Sequence, residues 1–172
     1  MKISAKDLTL VALFSALIAV GAFIKIPFLL VPITLQTLFI VLSALVLERK
    51  LAVLSVIVYI MIGLVGFPIF ANGGGINYIF SPTFGYLVSF IFAIYFISSF
   101  KEKNIYISTA IGMLIIYFFG MIYFIFIQYV LNGKVYLINY LFYNLFLVFL
   151  PGDILSCVVA IIGYRKILRL KK

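Results

Sequence analysis

Six apolar runs separated by short polar clusters set the pattern of the chain, at residues 8–24, 33–47, 51–66, 83–100, 105–131 and 140–164. A membrane-spanning helix needs about 20 apolar residues, because a rise of about 1.5 Å per residue must cross about 30 Å of hydrocarbon. The runs therefore predict an all-α integral membrane protein of six transmembrane helices. Lys2 and Lys6 precede the first run, and Ala19 and Gly21 faintly resemble a signal-cleavage site. Further spans follow at once, which suits a retained first helix better.

Composition agrees with lipid as the solvent. Of 172 residues, 67% are hydrophobic and 10% charged, too little polar surface to cover a soluble core. No polar stretch exceeds a short loop, so residues 1–172 read as one transmembrane domain. The net charge of +9 is spread in clusters between the apolar runs, not gathered into a patch for nucleic acid. Lys2, Lys6, Arg49, Lys50, Lys101, Lys103, Arg165, Lys166, Arg169, Lys171 and Lys172 fall on the side of the termini, against Lys25 and Lys134 opposite. That asymmetry predicts a multi-pass plasma-membrane protein with both termini cytoplasmic. The single Cys157 and the absence of histidine exclude an internal disulfide, a zinc site and the commonest general base. No cofactor or metal is expected.

Two exterior connections stand out. Residues 25–34 carry Pro27 and Pro32, which disfavour helix just before them and predict an extended crossing of the outer face. Residues 67–78 carry Gly73, Gly74 and Gly75 between Asn72 and Asn77. Irregular backbone at membrane depth survives only where protein or a watery cavity satisfies it, which makes this segment a candidate lid. The glycine run also offers N–H groups to an anion, with a flexible turn as the plain alternative, and no Gly-Lys-Ser/Thr follows for a nucleotide.

Asp153 is the one acidic residue inside the apolar runs, since Asp7, Glu48 and Glu102 all stand beside basic clusters. Twelve residues from Arg165, it lies about 18 Å above the terminal-side interface, a depth at which a carboxylate marks a functional site. The structural alternative is a helix cap, because Pro151-Gly152-Asp153 resembles a helix restart. Thr34, Gln36, Asn77 and Tyr86 are candidates to converge on the same cavity, although each alone is more often a packing hydrogen bond. No set of nucleophile, base and orienter is present, so covalent catalysis is not expected. In the first run Ala12 and Ala16 stand four apart, with Ser15 and Ala19 repeating the interval. Such spacing suits a close helix contact, either within this bundle or with a partner.

Ordered motifs then suggest a family. Val31-Pro32-Ile33-Thr34-Leu35-Gln36 resembles a Pro-x-Thr-Leu-Gln segment, and Gly63-Leu64-Val65-Gly66-Phe67-Pro68-Ile69-Phe70 a Gly-Leu-x-Gly-Leu-Pro-x-Phe segment. Gly73-Gly74-Gly75, then Ser81-Pro82-Thr83-Phe84-Gly85-Tyr86-Leu87, and finally Gly152-Asp153 follow in the same order. The set resembles the BioY family, the biotin-binding S components of energy-coupling factor (ECF) transporters. The resemblance implies an S-component bundle with exterior loop lids, in which Asp153, Asn72, Gly73, Asn77, Tyr86 and Gln36 bind biotin. It also implies that Ala12 and Ala16 meet a transmembrane coupling protein driven by two cytoplasmic ATPases. One position departs: the family commonly has a lysine three residues after the aspartate, where this chain has Ser156. The alternatives to a biotin S component are one for another small vitamin, a membrane enzyme, or a structural helical bundle.

Overall fold

The structure is a computed structural model that describes residues 4–28 and 30–170. Lys2, Lys171 and Lys172 of the charge count lie outside them. α1 (Ala5–Phe23) opens on a capping box, in which Ser4 Oγ accepts from the Asp7 N–H and the Asp7 carboxylate accepts from the Ser4 N–H. Asp7 is thus consumed in satisfying a helix end. α2 (Gln36–Val46) and α3 (Arg49–Val65) follow, then α4 (Phe84–Phe100), α5 (Ile105–Asn132), α6 (Ile138–Phe142) and α7 (Leu150–Leu170).

The expected six runs become six helical stretches, with α6, a wide π turn at Tyr143–Leu147, and α7 forming one 33-residue stretch, Ile138–Leu170. Pro151 accounts for the wide turn. Lacking an N–H, it cannot bond the Leu147 carbonyl, and the ladder loosens just before it, where the Val148 N–H reaches back to Tyr143 O at 3.2 Å. Three stretches, Ala5–Phe23, Ile105–Asn132 and Ile138–Leu170, are long and apolar enough to cross a membrane individually. α2 is not. Its 11 residues rise only about 16 Å, because the run predicted from residue 33 begins as strand.

Lys25–Ile26 (β1) pairs antiparallel with Ile33–Thr34 (β2), in register Lys25 with Thr34 and Ile26 with Ile33. The first connection therefore folds back as a small hairpin instead of running extended across the face. Pro27 and Pro32 both fall outside the paired residues, where a missing N–H costs no ladder bond.

Successive helices alternate direction, as two sets of contacts show. At the end that holds the termini, Lys101 Nζ donates to the Ala44, Leu45 and Leu47 carbonyls at 3.1, 2.7 and 2.8 Å, closing the C-terminal turn of α2. At the other end Lys25 Nζ donates to Ala71 O, joining the hairpin to the connection between α3 and α4. The tightest helix pair is α4 with α5. There Gly120 faces the Tyr86 ring and Gly85 faces Tyr123, where an added Cβ would sit 2.5 Å and 2.1 Å from those side chains. α7 packs on α2 instead.

Candidate functional site

The pocket lies at the loop end, where α2, α4, α5 and α7 converge beneath the connection between α3 and α4. That connection is irregular but firmly tied. Phe70 pairs with Gly73, its ring lies on Gly63, and the Gly75 N–H donates to Gly63 O at 2.7 Å. Gly73 and Gly75 have φ of 119° and 96°, a region open to glycine but strained for other residues. Both of their N–H groups are spent on backbone carbonyls, Gly73 on Phe70 O and Gly75 on Gly63 O. A short helical turn, Ile76–Phe80, then brings Tyr78 inward, where its hydroxyl accepts from Thr83 Oγ1 at 2.8 Å. Tyr123 of α5 donates to Ile79 O and holds the same turn from the side.

The Asp153 carboxylate is buried at 9% exposure. α7 begins at Leu150, so Asp153 occupies its first turn, and its N–H bonds Phe149 O at 3.0 Å within the helix. It is not the cap of that helix. Its carboxylate accepts instead from the Tyr117 hydroxyl of α5, and the Thr37 side chain of α2 lies close by.

Around this carboxylate the cavity is about 50 Å³ and is lined by Thr34, Gln36, Thr37, Tyr78, Thr83, Tyr86 and Tyr117, with Phe90, Ile116 and Phe149 as apolar walls. Gln36 is held by its neighbours. Its Nε2 donates to Tyr59 OH at 3.0 Å, its Oε1 accepts from Thr34 Oγ1 at 3.1 Å, and Tyr59 passes the chain on to Ile69 O at 3.3 Å. Tyr86 is the opposite case. Its hydroxyl is buried with no hydrogen-bond partner, the only such side-chain atom among the described residues. A buried hydroxyl without a partner costs about 1–3 kcal/mol, and here it lines the space beside Asp153.

Of the residues expected from sequence, the structure brings Asp153, Thr34, Gln36 and Tyr86 together. Asn72 and Asn77 are exposed in the roofing segment, and neither they nor Gly73 line the cavity. Ser156 is buried but faces another groove, with Ile33, Leu38 and the hairpin, so it does not replace a lysine beside Asp153. Three residues along a helix turn about 300°, and the remaining 60° is enough to change neighbours when α7 lies between α2 and α5. Sequence reasoning missed Tyr117, Thr37, Tyr78 and Thr83 as pocket residues. The two small-residue strips of α1 differ in burial, with Ala19 partly buried. Ser15 is buried, with its Oγ 2.7 Å from Ser55 O, whereas Ala12 and Ala16 are exposed.

A buried carboxylate, a hydroxyl without a partner and apolar walls among membrane helices form a cavity of the kind that suits a small polar molecule. The sequence matches the BioY family over residues 1–172, and the chain belongs to that family. It is 38% identical over 173 residues to the biotin transporter BioY of Thermotoga maritima, covering 97% of this chain and 96% of that one. It is 46% identical over 121 residues to a probable biotin transporter BioY of Lysinibacillus sphaericus, a match spanning 66% of this chain but 62% of that relative. The crystal structure of the S-component for biotin from an ECF-type ABC transporter superposes with a TM-score of 0.71 at 28% identity, covering 95% of this chain and 91% of that one.

Proposed function

We propose that this protein is a substrate-binding subunit that captures biotin at the outer face of the plasma membrane for uptake by an ECF-type transporter. The observation that carries the reading is the Asp153 pocket, with a carboxylate and an unpartnered Tyr86 hydroxyl facing one space. Biotin's ureido ring presents two N–H donors suited to the carboxylate and a carbonyl suited to the Tyr86 O–H, while its thiophane ring suits Phe90, Ile116 and Phe149. The names of the relatives above support the same ligand. A volume of about 50 Å³ is well below the roughly 300 Å³ at which small-molecule pockets begin. Entry therefore requires Tyr117 or the roofing segment to move, and the roof containing Asn72, Gly73 and Asn77 closes over the ligand afterwards.

In this reading residues 1–172 act as a single transmembrane domain with cytoplasmic termini, consistent with the lopsided basic residues. The exposed Ala12 and Ala16 meet a transmembrane coupling protein, and two cytoplasmic ATPases supply energy. Isothermal titration of the purified protein with biotin, riboflavin, thiamine and pantothenate tests the ligand. Heat with biotin alone is expected, and its absence refutes the assignment. Asp153→Asn should weaken biotin by about 10- to 100-fold, the value of a charge-assisted hydrogen bond. Unchanged affinity would remove Asp153 from the site.

A further inference from the structure

Helix packing leaves the bundle open between α5 and α7. α5 is committed to α4 and α7 to α2, and between them runs a groove of about 450 Å³. Ala110, Met113 and Leu114 of α5 face Ile154, Val158 and Ile162 of α7, so the walls are apolar for most of its length. Thr109 adds no polar handle, because its hydroxyl donates to its own helix at Ile105 O, 2.7 Å away. The two ends differ. The inner end stops at Tyr117 and Asp153, whereas the end near the termini opens at Arg165 and Tyr106, both exposed. Arg165 Nη2 donates to Tyr106 OH at 2.8 Å and the guanidinium lies 5.5 Å from the Tyr106 ring centroid.

We propose that this groove is a binding site for an anionic phospholipid, with its phosphate on Arg165 and one acyl chain lying along the groove as far as Tyr117. The dimensions suit this occupant. Twelve residues of α7 from Arg165 to Asp153 rise about 18 Å, close to the depth of one leaflet of a bilayer about 30 Å thick. The chemistry also agrees. A guanidinium has five N–H donors in a planar fork suited to phosphate, and the one hydrogen bond shown here is to a neutral hydroxyl that orients it. Lys166 and Arg169, also exposed, add positive potential at the same end. Charge at the mouth and an apolar trough one leaflet deep complement a lipid anion. Such a lipid site is independent of the identity of the transported solute.

The chain has no tryptophan, so a single Leu114→Trp is a clean reporter inside the groove, and Val158→Trp on the facing wall is a second should the first not fold. Phe92→Trp reports on an exposed face of α4 away from the groove. Each variant is reconstituted into vesicles of phosphatidylglycerol and phosphatidylcholine in equal amounts, with one or the other brominated on its chains. Brominated phosphatidylglycerol should be enriched at the groove reporter by about five-fold over brominated phosphatidylcholine, with no preference at Phe92→Trp. Adding Arg165→Gln should abolish the preference. Equal quenching by both lipids at the groove reporter, or a preference that survives Arg165→Gln, would overturn the proposal.

Discussion

The two sides of α5 show contrasting ways of meeting a neighbour. Toward α4 the helices interlock, with Tyr86 seated over Gly120, Tyr123 over Gly85, and Ile97 against Gly112. Toward α7 the side-chain hydrogen bonds among the described residues are Tyr117–Asp153 at one end and Arg165–Tyr106 at the other, with the groove between. Lipid removes the hydrophobic reward for closing such a gap, so helices adhere where small residues let atoms approach closely. Glycine supplies that closeness on one side of α5. On the other side polar groups bridge two helices across an open groove, and the Asp153 cavity lies where the interlocked and open sides meet, lined by Tyr86 of α4 as well as Tyr117 and Asp153.

The contrast is broken most directly at the interlock. In Gly85→Ala the new Cβ would lie 2.1 Å from Tyr123 Cβ, an atom fixed to its own backbone, so the helices must separate. We expect a loss of about 2–3 kcal/mol, seen as a lower unfolding temperature in detergent. Unchanged stability would mean that α4 and α5 are not held by close approach.

Tyr117→Phe tests the open side with a smaller expected effect. It keeps the ring but leaves the buried carboxylate without its hydroxyl donor, at a cost of about 1–2 kcal/mol in the ligand-free protein. Biotin should recover much of that loss, because its ureido N–H groups would supply the missing donors. Thermal unfolding with and without biotin measures both, and equal losses in the two conditions would separate Tyr117 from the ligand site. Tyr86→Phe reverses the pattern. The removed hydroxyl has no partner, so ligand-free stability should hold or rise, while biotin affinity falls by about 1 kcal/mol, roughly five-fold. A drop in stability with unchanged affinity would return Tyr86 to a packing role.

Much of this arrangement is legible in the amino-acid sequence, and what is not has physical causes. The helical stretches follow from apolar length, and Asp153 follows from a carboxylate where lipid would not tolerate it alone. Tyr117 is invisible there because it is one of 12 tyrosines, 36 positions from the carboxylate it bonds, in a span crowded with aromatics that the apolar pattern does not tell apart. The shortness of α2 is hidden because Ile33 and Leu35 are as apolar in a hairpin as in a helix. The segment of Gly73 and the two asparagines is legible as irregular backbone, but sequence does not show that backbone carbonyls already use the Gly73 and Gly75 N–H groups. The glycines at 85 and 120 carry the α4–α5 interlock in plain view. Recognising it requires knowing which tyrosine each one faces.

The smallest expected effect completes the comparison. Ala110 lies on the groove side of α5 and is exposed, so Ala110→Leu adds three carbons where Gly85→Ala adds one. If side-chain size alone governed the outcome, the leucine would do more damage. Space governs it here, and Ala110→Leu should shift stability by no more than about 0.5 kcal/mol, as for a change at an open surface. The added side chain would still occupy the trough proposed for an acyl chain. The reporter at Val158→Trp should therefore lose its preference for brominated phosphatidylglycerol while the unfolding temperature stays put. A large fall in that temperature would show that α5 and α7 close on each other in the membrane, and the two sides of α5 would no longer differ.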